Sequence, residues 1–480
     1  MILNKLINKK KLIVVLSFLL ITLLLFVQFW IKGTPVIRVD EGFNILISEK
    51  ISENGQIPNY LTEYNGGQVQ NYYPLYSIIF YSLYSIGGNI ENSLYLFNVF
   101  LLVILFISFA SFFNLTKKFT TSLLFLFSPI IVYQIFYVHS NYYPSLLCLF
   151  ISIVSLKYLF DYLKSNKKIY LFISLFLYSI LPMIHFFTFI FFTFIIFFSI
   201  FFYNRDQTLF KKLFTSAIYI IAALIISGYY IFLTLFYKIT LAEPTSFVPK
   251  ISPYLFNLIF PGATLIMIIL GSLILLKRKE FYLFVPFILF FGWFLSSYTN
   301  FYLFASYRIA FILVLFSPII ITHFLKHFNN KLLRLFLFGY LIFFGIFAYS
   351  QVQNNFSIDE FNEIKYYFEE NNIQNVTVLS YYRLNTWLPV LINNSNVVLA
   401  NTDLYNTNYK VRVKVEKLFT NIGIREKWEI SKELKIDYII LIKEQGFQDG
   451  SVYKGIGDKF NDPTENFFKK TETDRLYIYT

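Results

Sequence analysis

Apolar residues fill this chain in runs of about 20, and short basic clusters separate the runs. Segments near 12–31, 92–113, 120–138, 145–162, 169–184, 186–203, 213–237, 255–276, 281–297, 303–323 and 332–350 each have the length and apolarity of a membrane-crossing helix, about eleven in all. One further stretch, YPLYSIIFYSLYSIG at 73–87, is apolar but short and rich in Tyr and Ser, with a proline at its start. That composition suits a helix lying along the interface rather than one crossing the bilayer. Beyond residue 350 the pattern becomes that of a soluble domain. IDEFNEIKYYFEEN reads as an amphipathic helix, and NVTVLS, NVVLAN, DYIILIK and RLYIYT read as strands with helical patterns between them.

Composition supports the membrane reading: 56% of the 480 residues are hydrophobic and only 14% charged. Cys148, the single cysteine, lies inside an apolar run, so neither a disulfide framework nor a thiolate metal site can be built. Four scattered histidines argue against a His-rich metal site. The net charge of +13 invites a nucleic-acid reading, but its distribution argues against one. Residues 1–350 hold 25 of the 41 Lys and Arg but 10 of the 28 Asp and Glu, so the positive excess belongs to the loops between hydrophobic segments. This is charge that orients a membrane protein, not a nucleic-acid footprint.

Charge also sets the topology. LNKLINKKK places the N-terminus in the cytoplasm, ahead of an uncleaved first anchor. With 73–87 kept on the outer surface, 19 of the 25 basic residues of the membrane part fall inside, including Lys117/Lys118, Lys164/Lys167/Lys168, Arg205/Lys211/Lys212 and Lys277/Arg278/Lys279. Eleven crossings then put the tail outside. The expected fold class is a polytopic α-helical membrane protein of the plasma membrane with a small C-terminal α/β domain on the extracytoplasmic side. Residues 1–350 would be the membrane part, with an outer loop at 32–91, and 351–480 the outer domain.

That loop is long for so compact a chain, and long ordered loops tend to carry function. It opens with VIRVDEGFNIL, where Asp40 and Glu41 stand within about ten residues of the first span's end. Low dielectric there would raise a carboxylate's pKa towards the range of a general base. The alternative is an exposed helix cap ahead of GFNIL. Arg308, in NFYLFASYRIAFILVLF, lies just below the outer end of an apolar helix, where a guanidinium could take a phosphate bidentately or snorkel to the interface. His139 in FYVHSNYYP and His185 in LPMIHFFTF stand at outer turns, as site-lining residues or as satisfied hydrogen-bonding groups. Glu243 sits in YKITLAEPTSFVPKISPY, whose three prolines shape the backbone for substrate contact or for a plain connection. Tyr73, beside Tyr72 and Tyr76, could stack on a sugar or anchor the interface.

A first span, then DEGFNILISEKISENGQIPN, then YYPLYSIIFYSLYSIGG resembles the start of the GT-C glycosyltransferases. These include aminoarabinose transferases, protein O-mannosyltransferases and the catalytic subunits of oligosaccharyltransferases. The matching features are an acid early in the first loop, the stretch from Gly55 to Pro58, and Tyr73-Pro74-Leu75, which lacks the second proline of the family's YPPL. YRIAFILVLFSPII is similar to the family's arginine-bearing helix, and NVTVLSYYRLNTWLPVL, LKIDYIILI and FFKKTETDRLYIY to strand phrases of its outer domain.

The resemblance implies transfer of a sugar from a polyprenyl-phosphate-linked donor to a lipid, glycan or protein acceptor on the outer membrane face. Asp40 would be the loop acid acting on the acceptor, with Glu41 its alternate, and Arg308 would neutralise the departing phosphate. A divalent metal is compatible with the family, but the outer loops hold no Asp-x-Asp motif and no WWDYG-type acceptor phrase. A monosaccharide transferase therefore fits better than an oligosaccharide one. The alternative is a non-catalytic binding or transport protein for lipid-linked sugars or envelope polymers. It fits less well, because no internal repeat accompanies the intramembrane charge.

Overall fold

The computed structural model describes residues 39–58, 60–61, 63, 68–69, 74–116, 121, 124–125, 142–203, 207–241, 263–278, 280–296, 306–327, 330–350, 358–380, 384–398, 409–420, 422–443, 445–446, 452–453, 460 and 467–480. The first hydrophobic segment and nearly all of 120–138 lie outside them. The other nine segments expected from hydropathy have helical counterparts: α3 (Ile90–Thr116), α4 (Tyr142–Ser165), α5 (Lys168–Ser179), α6 (Phe186–Tyr203), α7 (Leu209–Leu241), α8 (Ala263–Lys277), α9 (Phe281–Ser296), α10 (Ser306–Leu325) and α11 (Lys331–Ser350). Two helices precede these, α1 (Val39–Asn54) and α2 (Pro74–Gly87). Pro74 opens α2 at the position where its missing N–H costs nothing. Gly88, at φ +69°, makes the left-handed turn into α3.

Among the described residues, one stretch is by itself long and apolar enough to cross a membrane: Leu209–Phe232, 24 residues with mean hydropathy 1.9. Shorter apolar helical stretches include Val103–Thr116, Lys168–Met183 and Thr188–Tyr203. The outer faces of the bundle are apolar too. Phe210, Ile225 and Leu332 are each more than three-quarters exposed. A face that greasy is unstable in water and comfortable in lipid.

Inside the bundle, α4 packs on α3 and α5, α5 on α7, and α10 on both α8 and α9. Polar side chains join the helices where hydrocarbon offers no other partner. Ser155 Oγ donates to the Ser174 carbonyl at 2.9 Å, Ser174 Oγ returns a bond to the Ser155 carbonyl at 2.8 Å, and Tyr219 OH lies 2.6 Å from Ser174 Oγ. Such bonds contribute only about 0.6 kcal/mol each on average, but they fix register between α4, α5 and α7. At Gly271 the backbones of α8 and α10 approach so closely that a Cβ would lie 2.5 Å from the Ile320 carbonyl oxygen.

The C-terminal part is a five-stranded mixed sheet, order β4-β3-β5-β9-β8, built from β3 (Thr377–Ser380), β4 (Asn396–Val397), β5 (Tyr438–Ile442), β8 (Lys470–Glu472) and β9 (Leu476–Tyr479). The two-residue hairpins β1/β2 (Tyr60–Leu61 and Gln68–Val69) and β6/β7 (Gln445–Gly446 and Val452–Tyr453) stand apart from it. Strand β3 pairs in parallel with β4 and β5, while β9 runs antiparallel to β5 and β8. Alternation along the strands buries both faces. Leu379, Ile439, Leu441 and Tyr479 belong to a core shared with α14 (Tyr409–Leu418) and α15 (Ile424–Glu433). Val378, Ile440, Ile442 and Ile478 join the large core that runs on into the helical bundle.

The junction between sheet and bundle is the part that bears on function. α1 packs against α2 and also against the 3₁₀ turn Leu384–Thr386 and the short helix α13 (Leu388–Leu391) of the sheet domain. Trp387 between them is fully buried, its ring 4.5 Å from that of Phe361 on α12 (Ile358–Glu370). The amide of Val397 on β4 donates to the Glu63 carbonyl at 2.6 Å, tying the first loop to the sheet's edge.

Candidate active site at the α1 end of the bundle

Asp40 and Glu41 occupy the first turn of α1. One turn further on come Asn44 and Ile45, and the whole stretch Asn44–Ser48 is buried. The helix is therefore not a solvated loop element. It is a packed strut between α2 and the sheet domain, with the acidic pair at its N-terminal end. The helix N-terminus favours negative charge at that position.

Further along α1 lies a carboxyl that nothing in the sequence singles out. Glu49 is half-buried and accepts a hydrogen bond from Tyr84 OH on α2 at 3.2 Å. Burial raises its pKa above the ordinary 4.5, outweighing the hydrogen bond that lowers it. Tyr84 is itself pushed up to about 12 by burial and then by the Glu49 charge. Next to it, Lys50 Nζ bonds Glu63 at 2.9 Å and Glu53 at 3.3 Å. The Glu63 hydrogen bond holds the Lys50 ammonium above its usual range. These contacts lock α1 to α2 and to the hairpin loop about 13 Å along the helix from Asp40. A spacing of nine residues gave no hint of them, because it places Glu49 on a different side of α1 from Asp40.

His185 lies in the turn between α5 and α6, next to the 3₁₀ segment Leu181–Met183, which touches α2. The histidine is buried, and its Nδ1 accepts the Thr188 amide at 3.2 Å and lies 2.7 Å from Thr188 Oγ1. Its carbonyl receives the first intrahelical bond of α6, from Phe189 at 3.1 Å, and a weak Cys148 S–H contact at 3.7 Å. That is the geometry of an N-cap. His185 Nδ1 is thus a satisfied hydrogen-bonding group at the end of the bundle where α2 lies.

Arg308 is in the first turn of α10. Fifteen residues later, about 22 Å along the helix, His323 lines a cavity with Thr116, Lys164 and Tyr203. These are the final turns of α3, α4 and α6, whose other ends lead back to α2 and the 181–185 turn. The backbone of Arg308 therefore belongs to the same end of the bundle as α1, α2 and His185. The side chains of Asp40, Glu41 and Arg308 are outside the described set, and Tyr73, His139 and Glu243 lie wholly outside the described residues. Among the described side chains, no group of three His, Cys, Asp or Glu gathers to hold a metal ion.

No protein-family model matches the sequence, and no curated protein matches it. Solved structures do match the fold. Arabinofuranosyltransferase AftD from Mycobacteria superposes with a TM-score of 0.62 at 11% identity, over 96% of this chain and 39% of that one. The chain thus spans about two-fifths of that enzyme's length. An oligosaccharyltransferase of Archaeoglobus fulgidus in its apo form matches at TM-score 0.61 and 11% identity, over 89% of this chain and 69% of that one. The archaeal oligosaccharyltransferase AglB, solved with an inhibitory peptide and a dolichol-phosphate, matches at TM-score 0.52 and 11% identity, over 85% of this chain and 66% of that one. At such identity the likeness is one of fold, and in fold this chain resembles the GT-C glycosyltransferases.

Proposed function

We propose that this chain is a multi-pass membrane glycosyltransferase that moves a sugar from a polyprenyl-phosphate carrier to an acceptor on the extracytoplasmic face. The observation that carries the reading is that α1, α2, the 181–185 turn and the start of α10 lie at one end of a bundle that resembles solved glycosyltransferases in fold. Exposed apolar faces and the basic loops support eleven crossings with a cytoplasmic N-terminus. On this reading residues 1–350 form the membrane part and 351–480 the outer domain.

In the proposed reaction the acceptor hydroxyl attacks the sugar carbon joined to the carrier phosphate. The new glycosidic bond forms as the carbon–oxygen bond to phosphate breaks. Asp40 takes the acceptor's proton, and Glu41 is its alternate. Arg308 pairs the phosphate as its negative charge grows, an interaction stronger in the transition state than before it. Tyr73, His139 and Glu243 are the proposed substrate-contacting residues of the neighbouring loops, and His185 sets the turn beside them. The lack of a WWDYG-type acceptor phrase in the sequence favours transfer of one sugar at a time.

The test is glycan transfer in membranes that make the native product. Asp40→Asn should lower turnover by about 10²- to 10⁴-fold, and Arg308→Ala by about 10²-fold or more. Full activity in both variants, at wild-type protein levels, would sink the assignment.

A further inference from the structure

At the end of the bundle opposite α1 lies a cavity of ≈ 200 Å³. Its walls are apolar, from Phe112, Ile153, Phe160, Ile195, Leu283 and Phe316 on five helices. Its mouth is polar and cationic. Lys164, exposed at the end of α4, lines it together with Thr116 and Tyr203, and buried Ser199 lines the cavity further in. Buried His323 forms part of the wall, with Arg278 Nη1 3.5 Å from its Nδ1 and Glu280 3.8 Å from its Nε2.

The surroundings carry the same sign. Lys168 begins α5 just after Lys164, Lys211 bonds Asn166 at 3.3 Å, Lys277 precedes Arg278, and Lys331 begins α11 just after α10 ends. Against them stand Asp161, paired with Lys157 at 2.7 Å, and Glu280. A greasy pocket under a positive rim matches an amphiphile with a chain and an anionic head.

We propose that this cavity binds an anionic membrane phospholipid, its phosphate at Lys164 and the first part of one acyl chain among Phe112, Ile153 and Phe316. The inference rests on the membrane placement proposed above but not on sugar transfer, and its test reads no glycan. A bound lipid there would hold α3, α4, α6, α9 and α10 together at the end where no sheet domain braces them. Lys164 is the residue that selects charge, because among the described residues it is the lysine or arginine that lines the pocket and is exposed.

The experiment uses the full chain in phosphatidylcholine nanodiscs carrying a small fraction of phosphatidic acid with a diazirine near the top of one acyl chain. A diacylglycerol bearing the same diazirine supplies the chain without the phosphate. After irradiation, labelled peptides are mapped by mass spectrometry. The phosphatidic acid probe should label the 153–164 and 195–203 segments at least five-fold more than the diacylglycerol probe does. Lys164→Gln should remove most of that preference, and Ser199→Phe, which fills the pocket, should lower labelling by both probes. Lys168→Gln, at the same end but outside the cavity wall, should leave the preference intact. Equal labelling by both probes, or a preference unchanged in Lys164→Gln, overturns the proposal. So does loss of labelling when 50 mM inorganic phosphate is added at constant ionic strength, which would mark a site for free phosphate instead of a lipid.

Discussion

Glu49 shows how one side chain reports the packing around the proposed site. Burial between α1 and α2 raises its pKa, so the folded protein holds this proton more tightly than the unfolded chain does. The resulting stability is fully present below 4.5, its ordinary value, and is lost as pH rises through the elevated folded value. Glu49→Gln removes the charge and keeps an oxygen for Tyr84 to donate to. Thermal melts should therefore show the variant more stable than the parent at pH 8, with the difference closing as the pH falls towards 4.5. A gap of equal size at both ends of that range would mean that Glu49 is solvated. None of this was legible in the sequence, where nothing sets Glu49 apart and its partner stands 35 residues away. Asp40 and Glu41, by contrast, stood out through their closeness to a hydrophobic segment. A helix start is what the GFNIL cap reading anticipated; the burial one turn later is not.

Among the elements, the long apolar helices were readable because lipid exposure demands apolar residues all round, and a run of about 20 is hard to mistake. The strands β3, β5 and β9 were readable from compact apolar phrases, though their order and the mixed pairing were not. The enclosure of α1 was not legible for a physical reason. Buried at five successive positions, Asn44–Ser48, it is enclosed on several sides and leaves no amphipathic stripe to detect. The cavity near Lys164 was likewise invisible, because its wall comes from five helices, each of which reads as ordinary apolar sequence. Helix packing makes its own prediction at Gly271. Valine there would drive a Cβ into the Ile320 carbonyl of α10, and the helices would have to separate. Overpacking of this kind costs about 1–3 kcal/mol, so Gly271→Val should lower the melting temperature in detergent while Gly292→Val, with open space around it, should not.

For the whole molecule, the decisive arrangement is a sheet domain that shares its core with the bundle through Trp387. Removing that ring should cost about 3–5 kcal/mol, and the loss should be felt locally at α1. Hydrogen exchange should quicken across 39–54 in Trp387→Ala while the amides of α4 and α5, joined by Ser155 and Ser174, keep their protection. Uniform quickening would mean that the sheet domain braces the entire fold. The link between Val397 and Glu63 adds a consequence in time. On the ribosome α1 emerges well before the strands and the Trp387 turn that enclose it. The helix must wait uncovered until those later residues are made. The sheet domain thus works as a licence: a chain cut short before it would leave α1 uncovered and the proposed site unassembled.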